Sequence, residues 1–294
     1  MKLKKLFRKK EKASKFRVNR SLLGNSGILI FLILICAFMA LPMIYSVLQS
    51  FKPYGELFAY PPKFYVKNPT LDSYRQVFQL ADSFWVPFSR YAFNSVFITV
   101  VGTIAYIVVS ALAAYPLAKE KFPGNALISS LIVWTLMFNA EVTATPRYII
   151  VSKLKLLDSY AGMILPAMAG TLGVFLMKQF MQTAINDSTL EAARIDGANE
   201  YTIFYKIALP CIKPATLTLM IFSFQTFWGA TSSNYIYSET LKGIPSVLSS
   251  IAGGGIARAG AGAAVTVLLM IPPIAVFLIS QSSIMDTMSH SGLK

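Results

Sequence analysis

Residues 191–210 read EAARIDGANEYTIFYKIALP. The four residues Ser188-Thr189-Leu190-Glu191 have the form of a capping box, in which a serine hydroxyl and a glutamate carboxylate each take one of the orphan backbone donors of a first turn. That pattern predicts a helix beginning at Ser188. Ala192, Ala193 and Ile195 give it a small, flat apolar face, and Glu191 and Arg194 stand three residues apart, where opposite charges pair on a helix. Gly197 ends it, as a glycine just past the last turn does. Asn199 is placed to cap a second helix through Ile207, and Leu209-Pro210 marks a fresh start, because proline is tolerated in a first helical turn. The segment reads as a short amphipathic helix, a hinge and a second helix.

On both sides the chain turns apolar. Hydrophobic residues make up 55% of it and charged ones 14%, and the mean hydropathy is +0.56. Those values exclude an ordinary soluble domain. A helix needs about 20 apolar residues to cross about 30 Å of hydrocarbon, and six stretches meet that need, roughly 27–50, 91–117, 126–145, 159–181, 210–229 and 263–282. The expected fold is an all-α polytopic membrane protein with six transmembrane helices over 27–283, a basic arm at 1–26 and a short tail at 284–294. Residues 51–90 and 230–262 then lie outside, and 182–209 inside. Pro42, Pro166 with Gly170 and Gly173, and Pro272-Pro273 interrupt three of the crossings. Such breaks persist in lipid where neighbouring helices or a water-filled path satisfy the freed carbonyls.

The formal charge of +14 would suggest nucleic acid in a soluble chain, but ten of the 27 Lys and Arg residues fall within residues 1–20, beside one acid, Glu11. A basic run ahead of an apolar stretch stays in the cytoplasm and meets anionic lipid headgroups, so membrane lipid and not nucleic acid is the expected partner. Six crossings bring the C-terminus back to the same side, together with Lys119-Glu120-Lys121. The first apolar stretch is longer than a signal-peptide core and lacks a small-residue cleavage site, which reads as a retained anchor. Cys36 and Cys211 form neither a disulfide framework nor a metal-ligand pattern, and no metal site is expected. There is no phosphate-cradling Gly-Lys-Ser/Thr loop, no nucleophile elbow and one histidine, His290, so neither ATP hydrolysis nor other catalysis is expected of this chain.

The spacing Glu191-Ala192-Ala193, three residues, Gly197, nine residues, Ile207-x-Leu209-Pro210 resembles, element by element, the EAA loop of ABC importer permeases, the membrane subunits of binding-protein-dependent transporters. The flanks Ala193-Arg194-Ile195-Asp196-Gly197-Ala198 and Leu209-Pro210-x-x-Lys213-Pro214 are similar to the carbohydrate branch, in particular its second, maltose-type permease subunit. The tail Met288-Ser289-His290-Ser291-Gly292-Leu293-Lys294 resembles that of permeases for complex oligosaccharides. The resemblance implies a type I importer permease in a prokaryotic cell membrane, half of a pathway completed by a second, homologous permease. It also implies two ATPase subunits that bind ATP and Mg and grip Ser188 to Asp196, and an extracytoplasmic solute-binding protein that delivers a sugar or oligosaccharide. The outer loop with Gly253, Gly254 and Gly255, too glycine-rich to pack by itself, would by the same resemblance reach into the sugar site of the docked binding protein.

Polar groups inside a membrane are costly and are read first as functional. Asn94, Asn139, Glu141 and Gln225 are such groups, with Trp134, Phe224, Trp228 and Tyr235 near them. Amides and a carboxylate beside aromatic rings suit sugars, whose hydroxyls need planar partners while their C–H faces stack on rings. The same residues also fit an aromatic belt and interhelical hydrogen bonds. Outside, Tyr60-Pro61-Pro62 is expected to be extended and Thr70 to cap a helix from Leu71 to Leu80. Two other classes compete: an ion-coupled secondary transporter, which would show matched halves with intramembrane carboxylates, and a non-transporting membrane scaffold, which leaves the fixed spacing at 191–210 without a reason.

Overall fold

The computed structural model of the chain describes residues 22–138, 140–229, 235–255 and 258–291, and all regular structure among them is helical. The basic arm up to residue 21, Asn139, residues 230–234 and Gly292 to Lys294 lie outside the described residues. Contacts divide the chain into two units at Tyr45–Ser46.

The first unit is most of α1 (Leu22–Ser50). Its side chains are apolar in every direction and exposed, with Phe31 at 62% and Phe38 at 75%. A helix without a polar face fits lipid rather than water. Pro42 lies within it without ending it.

The second unit begins with α2 (Tyr54–Leu57) and α3 (Asp72–Asp82), followed by the long α4 (Phe88–Lys119). Then come α5 (Asn125–Leu136), α6 (Ala140–Lys153), α7 (Tyr160–Met168), α8 (Thr171–Ala184) and α9 (Asp187–Ile195). The short α10 (Glu200–Ile203) runs through a π turn at Phe204–Ala208 into α11 (Leu209–Cys211) and α12 (Lys213–Gly229). Last are α13 (Ile244–Ala252) and α14 (Ala259–Ser291).

At about 1.5 Å per residue α4 is about 48 Å long, more than the hydrocarbon thickness, and α7, α8, α12 and α13 pack along it. Two cores result. One joins α4, α8 and α12 through Ala114, Met177, Met181, Ile212 and Leu219; the other joins α3, α13 and α14 through Val77, Val247, Ile251 and Val265. Small residues set the spacing of the first. A Cβ on Gly102 would stand 2.5 Å from the Phe227 ring, and one on Gly173 2.3 Å from Ser110 Oγ.

Three helices are long and apolar enough to cross alone, Ser26–Ser50, Phe88–Lys119 and Ala259–Gln281; three bent pairs bring the number to six if each is one span. The pair α7 and α8 bends by 42° at Gly170, where sequence placed a break. Asn125–Leu136 and Glu141–Lys153 meet at 112°, so the stretch expected to cross at 126–145 is a bent pair and not one continuous helix. The reason is compositional: α5 is apolar but only about 18 Å long, whereas α6 carries Glu141, Arg147 and Lys153. The third bend, 79°, separates Glu200–Cys211 from Lys213–Gly229. Pro210 has no N–H for the Lys206 carbonyl, and the turn widens so that Leu209 N–H reaches the Phe204 carbonyl.

The segments expected outside differ from expectation in their local structure as well. Thr70 makes no cap: α3 starts after Leu71 with no side-chain cap, and Thr70 Oγ1 is buried without a partner. Residues 244–252 form the buried helix α13 rather than loose loop, and Ala259 to Gly262 are the first turn of α14, where Ala261 is fully buried. The small residues there allow close packing: a Cβ on Gly260 would be 2.8 Å from Ser73 Oγ.

Candidate coupling surface and pathway cavity

α9 is held by one large side chain. Leu190 is 2% exposed and Ala193 half-buried, while Ser188, Glu191, Ala192 and Ile195 share the outward face at helical spacing. Ile195 is 86% exposed. An exposed isoleucine beside two small residues and a carboxylate leaves this face of α9 uncovered within the chain.

The helix begins one residue before the expected Ser188. Asn186 is the N-cap and Asp187 the first helical residue, and no serine hydroxyl cap forms. The start is fixed instead by Lys119, whose Nζ donates to the Ile185 carbonyl and to Asp187 Oδ1, both at 2.7 Å. That hydrogen bond, with the lysine charge, holds the Asp187 carboxyl below the usual range. The far end follows expectation. Gly197 has φ +79°; its N–H donates to the Arg194 carbonyl and Ala198 N–H to the Ala193 carbonyl, both at 3.0 Å. These are the two bonds of a Schellman ending. Asn199 Oδ1 then accepts Thr202 N–H at 2.8 Å, capping α10 as expected.

Arg194 does not pair with Glu191. Its Nε donates to Glu200 Oε1 at 2.7 Å and its other guanidinium nitrogen donates to Glu120, while Tyr115 Oη donates to Glu200 Oε2 at 3.0 Å. Hydrogen bonding to Glu200, reinforced by both carboxylate charges, holds the guanidinium protonated more firmly than in an ordinary arginine. Glu191 is left on the outward face. Ile207 and Leu209 are half-buried in the π turn and after it, and Pro210 is exposed.

At the other end of the bundle a second set of bonds holds residues 235–244. Asp158 sits at φ +55° between α6 and α7, and its Oδ1 accepts Tyr237 N–H at 3.1 Å and Ser238 N–H at 2.9 Å; its Oδ2 accepts the Ser238 hydroxyl. The Ser238 hydroxyl and N–H, with Tyr237 N–H, hold the Asp158 carboxyl below the usual range. Asn94 Nδ2 donates to the Thr240 and Lys242 carbonyls at 2.9 and 2.8 Å, and its Oδ1 accepts Tyr160 Oη at 2.7 Å. Ser95 Oγ accepts Ile244 N–H at 2.7 Å. Neither Asp158 nor Ser95 was singled out from sequence; the positive φ that makes Asp158 suitable is one that Asp and Asn tolerate, a weak signal in a polar loop.

A cavity of about 470 Å³ opens between α4, the ends of α5 and α6, the α7–α8 bend and α12. Thr135, Thr143, Thr171 and Thr226, with the aromatic residues Tyr106, Phe138, Phe222 and Phe227, line it, and Arg147 is the charged residue among the described lining groups. The described polar and aromatic residues chosen from sequence are not among its lining groups. Asn94 is buried in the network that holds residues 235–244. Trp134 is 62% exposed beside a separate cavity of about 330 Å³ with Lys178. Glu141 is exposed in the first turn of α6, and Gln225 is exposed on α12. Phe224 stacks on Trp228 at 6.2 Å, Trp228 Nε1 donates to the Leu269 carbonyl at 3.2 Å, and Tyr235 stacks on Tyr148 at 6.3 Å. The described members of this set do not converge on one site within the chain, and Asn139 lies outside the described residues. On α12 the cause is angular: Phe222, Ser223, Thr226 and Phe227 share the cavity face, and Phe224, Gln225 and Trp228 lie on the others. Gly253 to Gly255 form the exposed turn after α13, with Gly255 at φ +73°.

Residues 107–289 match the family described as "Binding-protein-dependent transport system inner membrane component". The chain is 34% identical over 214 residues to the polygalacturonan/rhamnogalacturonan transport system permease protein YtcP of Bacillus subtilis, a match covering 72% of this chain and 70% of the relative. It is 36% identical over 201 residues to the sn-glycerol-3-phosphate transport system permease protein UgpE of Yersinia enterocolitica, covering 66% and 70%. Among solved structures, a chain of a bacterial ABC transporter involved in the import of the acidic polysaccharide alginate superposes with a TM-score of 0.71 at 23% identity, over 90% of this chain and 98% of that one. A chain of an alginate ABC transporter in complex with an alginate pentasaccharide-bound periplasmic protein gives 0.57 at 16% identity, over 88% and 92%.

Proposed function

This chain belongs to the family of inner-membrane components of binding-protein-dependent transport systems, and from that premise we propose that it forms half of the path of an importer for an acidic oligosaccharide. A second permease completes the path, two separate ATPase subunits bind ATP and Mg and supply the work, and a solute-binding protein delivers the substrate outside. Both termini then lie in the cytoplasm with α9.

The observation that carries the coupling role is the outward face of α9. Ala192 allows close approach, Ile195 supplies an apolar contact, and Glu191 is free of the Arg194 pair to meet a groove on the ATPase. When nucleotide draws the ATPases together, α9 moves and the bent spans on either side tilt with it, opening the cavity outward. The substrate class is supported by Arg147. An arginine among threonines and aromatic residues, with no carboxylate among the described lining residues, matches a sugar that bears carboxylates. Two similar proteins, a polygalacturonan/rhamnogalacturonan permease and a chain of an alginate importer, agree with that chemistry.

The experiment is uptake and ATP hydrolysis by the reconstituted complex with its binding protein. Glu191→Lys is expected to abolish stimulation of hydrolysis by the loaded binding protein; full stimulation would sink the coupling role. Arg147→Gln is expected to lower uptake of an oligouronide about tenfold or more, since a charged hydrogen bond contributes about 1.5–3 kcal/mol and about 1.4 kcal/mol is a factor of ten. Unchanged uptake would remove the acidic-substrate assignment while leaving the importer intact.

A further inference from the structure

We propose that Lys119 and Glu120, at the cytoplasmic end of α4, act as a yoke that fastens both ends of α9 to α4, so that the push of the ATPase enters the bundle through α4 directly. The inference rests on α9 being the coupling helix.

The two adjacent residues carry opposite charges and hold opposite ends of α9. Lys119 takes the N-terminal end through Ile185 and Asp187, at 2.7 Å each. Glu120 takes the C-terminal end through Arg194. Asp187 and Arg194 are seven residues apart, about 10 Å of helix, so α9 is held at two points and resists rotation as well as translation. The lysine is well placed for such a grip: its side chain is 5% exposed, although Asp187 is 77% exposed.

The chain itself offers a softer route. From α9 to α12 the backbone passes Gly197 at φ +79° and then the π turn, two places where a push would be absorbed as bending. The Arg194–Glu200 bond spans Gly197 and stiffens that hinge, and Tyr115 on α4 holds the same Glu200. Both carboxylates of the Arg194 fork therefore connect back to α4. That helix continues unbroken to Asn94 and Ser95, which hold residues 240–244 outside. A displacement of α9 is thus delivered along one rod of about 38 Å. Lys119, Glu120, Glu200 and Tyr115 are positioning residues: they act through α9 and touch neither nucleotide nor sugar.

The test is the double variant Glu120→Gln/Glu200→Gln in the complete complex, reconstituted with its binding protein. Three quantities are read: ATPase copurified with the permease, hydrolysis without binding protein, and substrate taken up per ATP hydrolysed. The first two are expected to equal wild type and the third to fall about fivefold or more, because a merely structural defect would lower assembly and both activities together. Arg194→Lys, which keeps the charge but cannot hold two carboxylates as a fork, is expected to give an intermediate ratio. An unchanged ratio in the double variant, with Glu191→Lys still abolishing stimulation, overturns the yoke and leaves the coupling reading standing. A harmless Glu191→Lys overturns that reading itself. Loss of copurified ATPase from the double variant makes these residues docking contacts and overturns the yoke. If the double variant does not reach the membrane, Arg194→Lys decides, and a wild-type ratio there overturns the proposal.

Discussion

Asp158 occupies a left-handed turn and accepts three hydrogen bonds from Tyr237 and Ser238. Because its folded-state pKa is depressed, its contribution to stability is complete above the ordinary aspartate value of about 3.9 and is lost as pH falls through the lower folded value. Asp158→Asn keeps a residue that tolerates positive φ but loses the charge, and at pH 7 it is expected to cost about 1 kcal/mol. Melting of the purified protein at a series of pH values checks this: the gap between variant and wild type should close only below about pH 4, and a gap that closes near pH 6 would contradict it. Residue by residue, legibility followed distance along the chain. Gly197 and Asn199 were readable because their bonds close within five residues. The fork of Arg194 was not, because Glu120 lies 74 positions away and the local partner Glu191 looked equally good.

At the scale of elements, helix contacts rest on glycines that periodicity does not reveal. Gly173 N–H donates to Tyr106 Oη at 2.9 Å where α8 leans on α4, just after the 42° bend. A methyl group there would fall 2.3 Å from Ser110 Oγ and 2.8 Å from the Tyr106 ring. Gly173→Ala is therefore expected to destabilise by about 1–3 kcal/mol through overpacking, read as a lower melting temperature, and Ser110→Ala in the same chain should recover part of the loss. No change in melting would mean that α8 slides freely on α4. Six apolar stretches were visible in sequence because burial in lipid needs only composition and length. The bends were partly visible, at Gly170 and Pro210, where a missing side chain or N–H demands one. The turn between α5 and α6 was not, since an apolar window laid across both averages a short apolar helix with a charged one. The face of α12 that meets the cavity was hidden for a related reason: a helix apolar all round carries no periodic mark of which side is inward.

At the scale of the whole molecule, α1 tests whether lipid or packing holds the chain. Between Ser26 and Ser50 it carries 13 Leu, Ile, Phe and Val residues. On the insertion scale each contributes about −0.3 to −0.6 kcal/mol and a central lysine costs about 3 kcal/mol, so the apolar sum is about −6 kcal/mol. Phe38→Lys alone leaves roughly −2.5 kcal/mol, and Ile35→Lys/Phe38→Lys brings the total to about +1 kcal/mol. The single variant should still insert almost fully and the double variant should fail in most molecules, as measured by the membrane-integrated fraction of α1 in a translocation assay. Those side chains are exposed, 75% for Phe38 and 39% for Ile35, so lost internal packing does not enter the comparison. Failure of the single variant would mean that the apolar sum overstates the free energy with which α1 enters hydrocarbon.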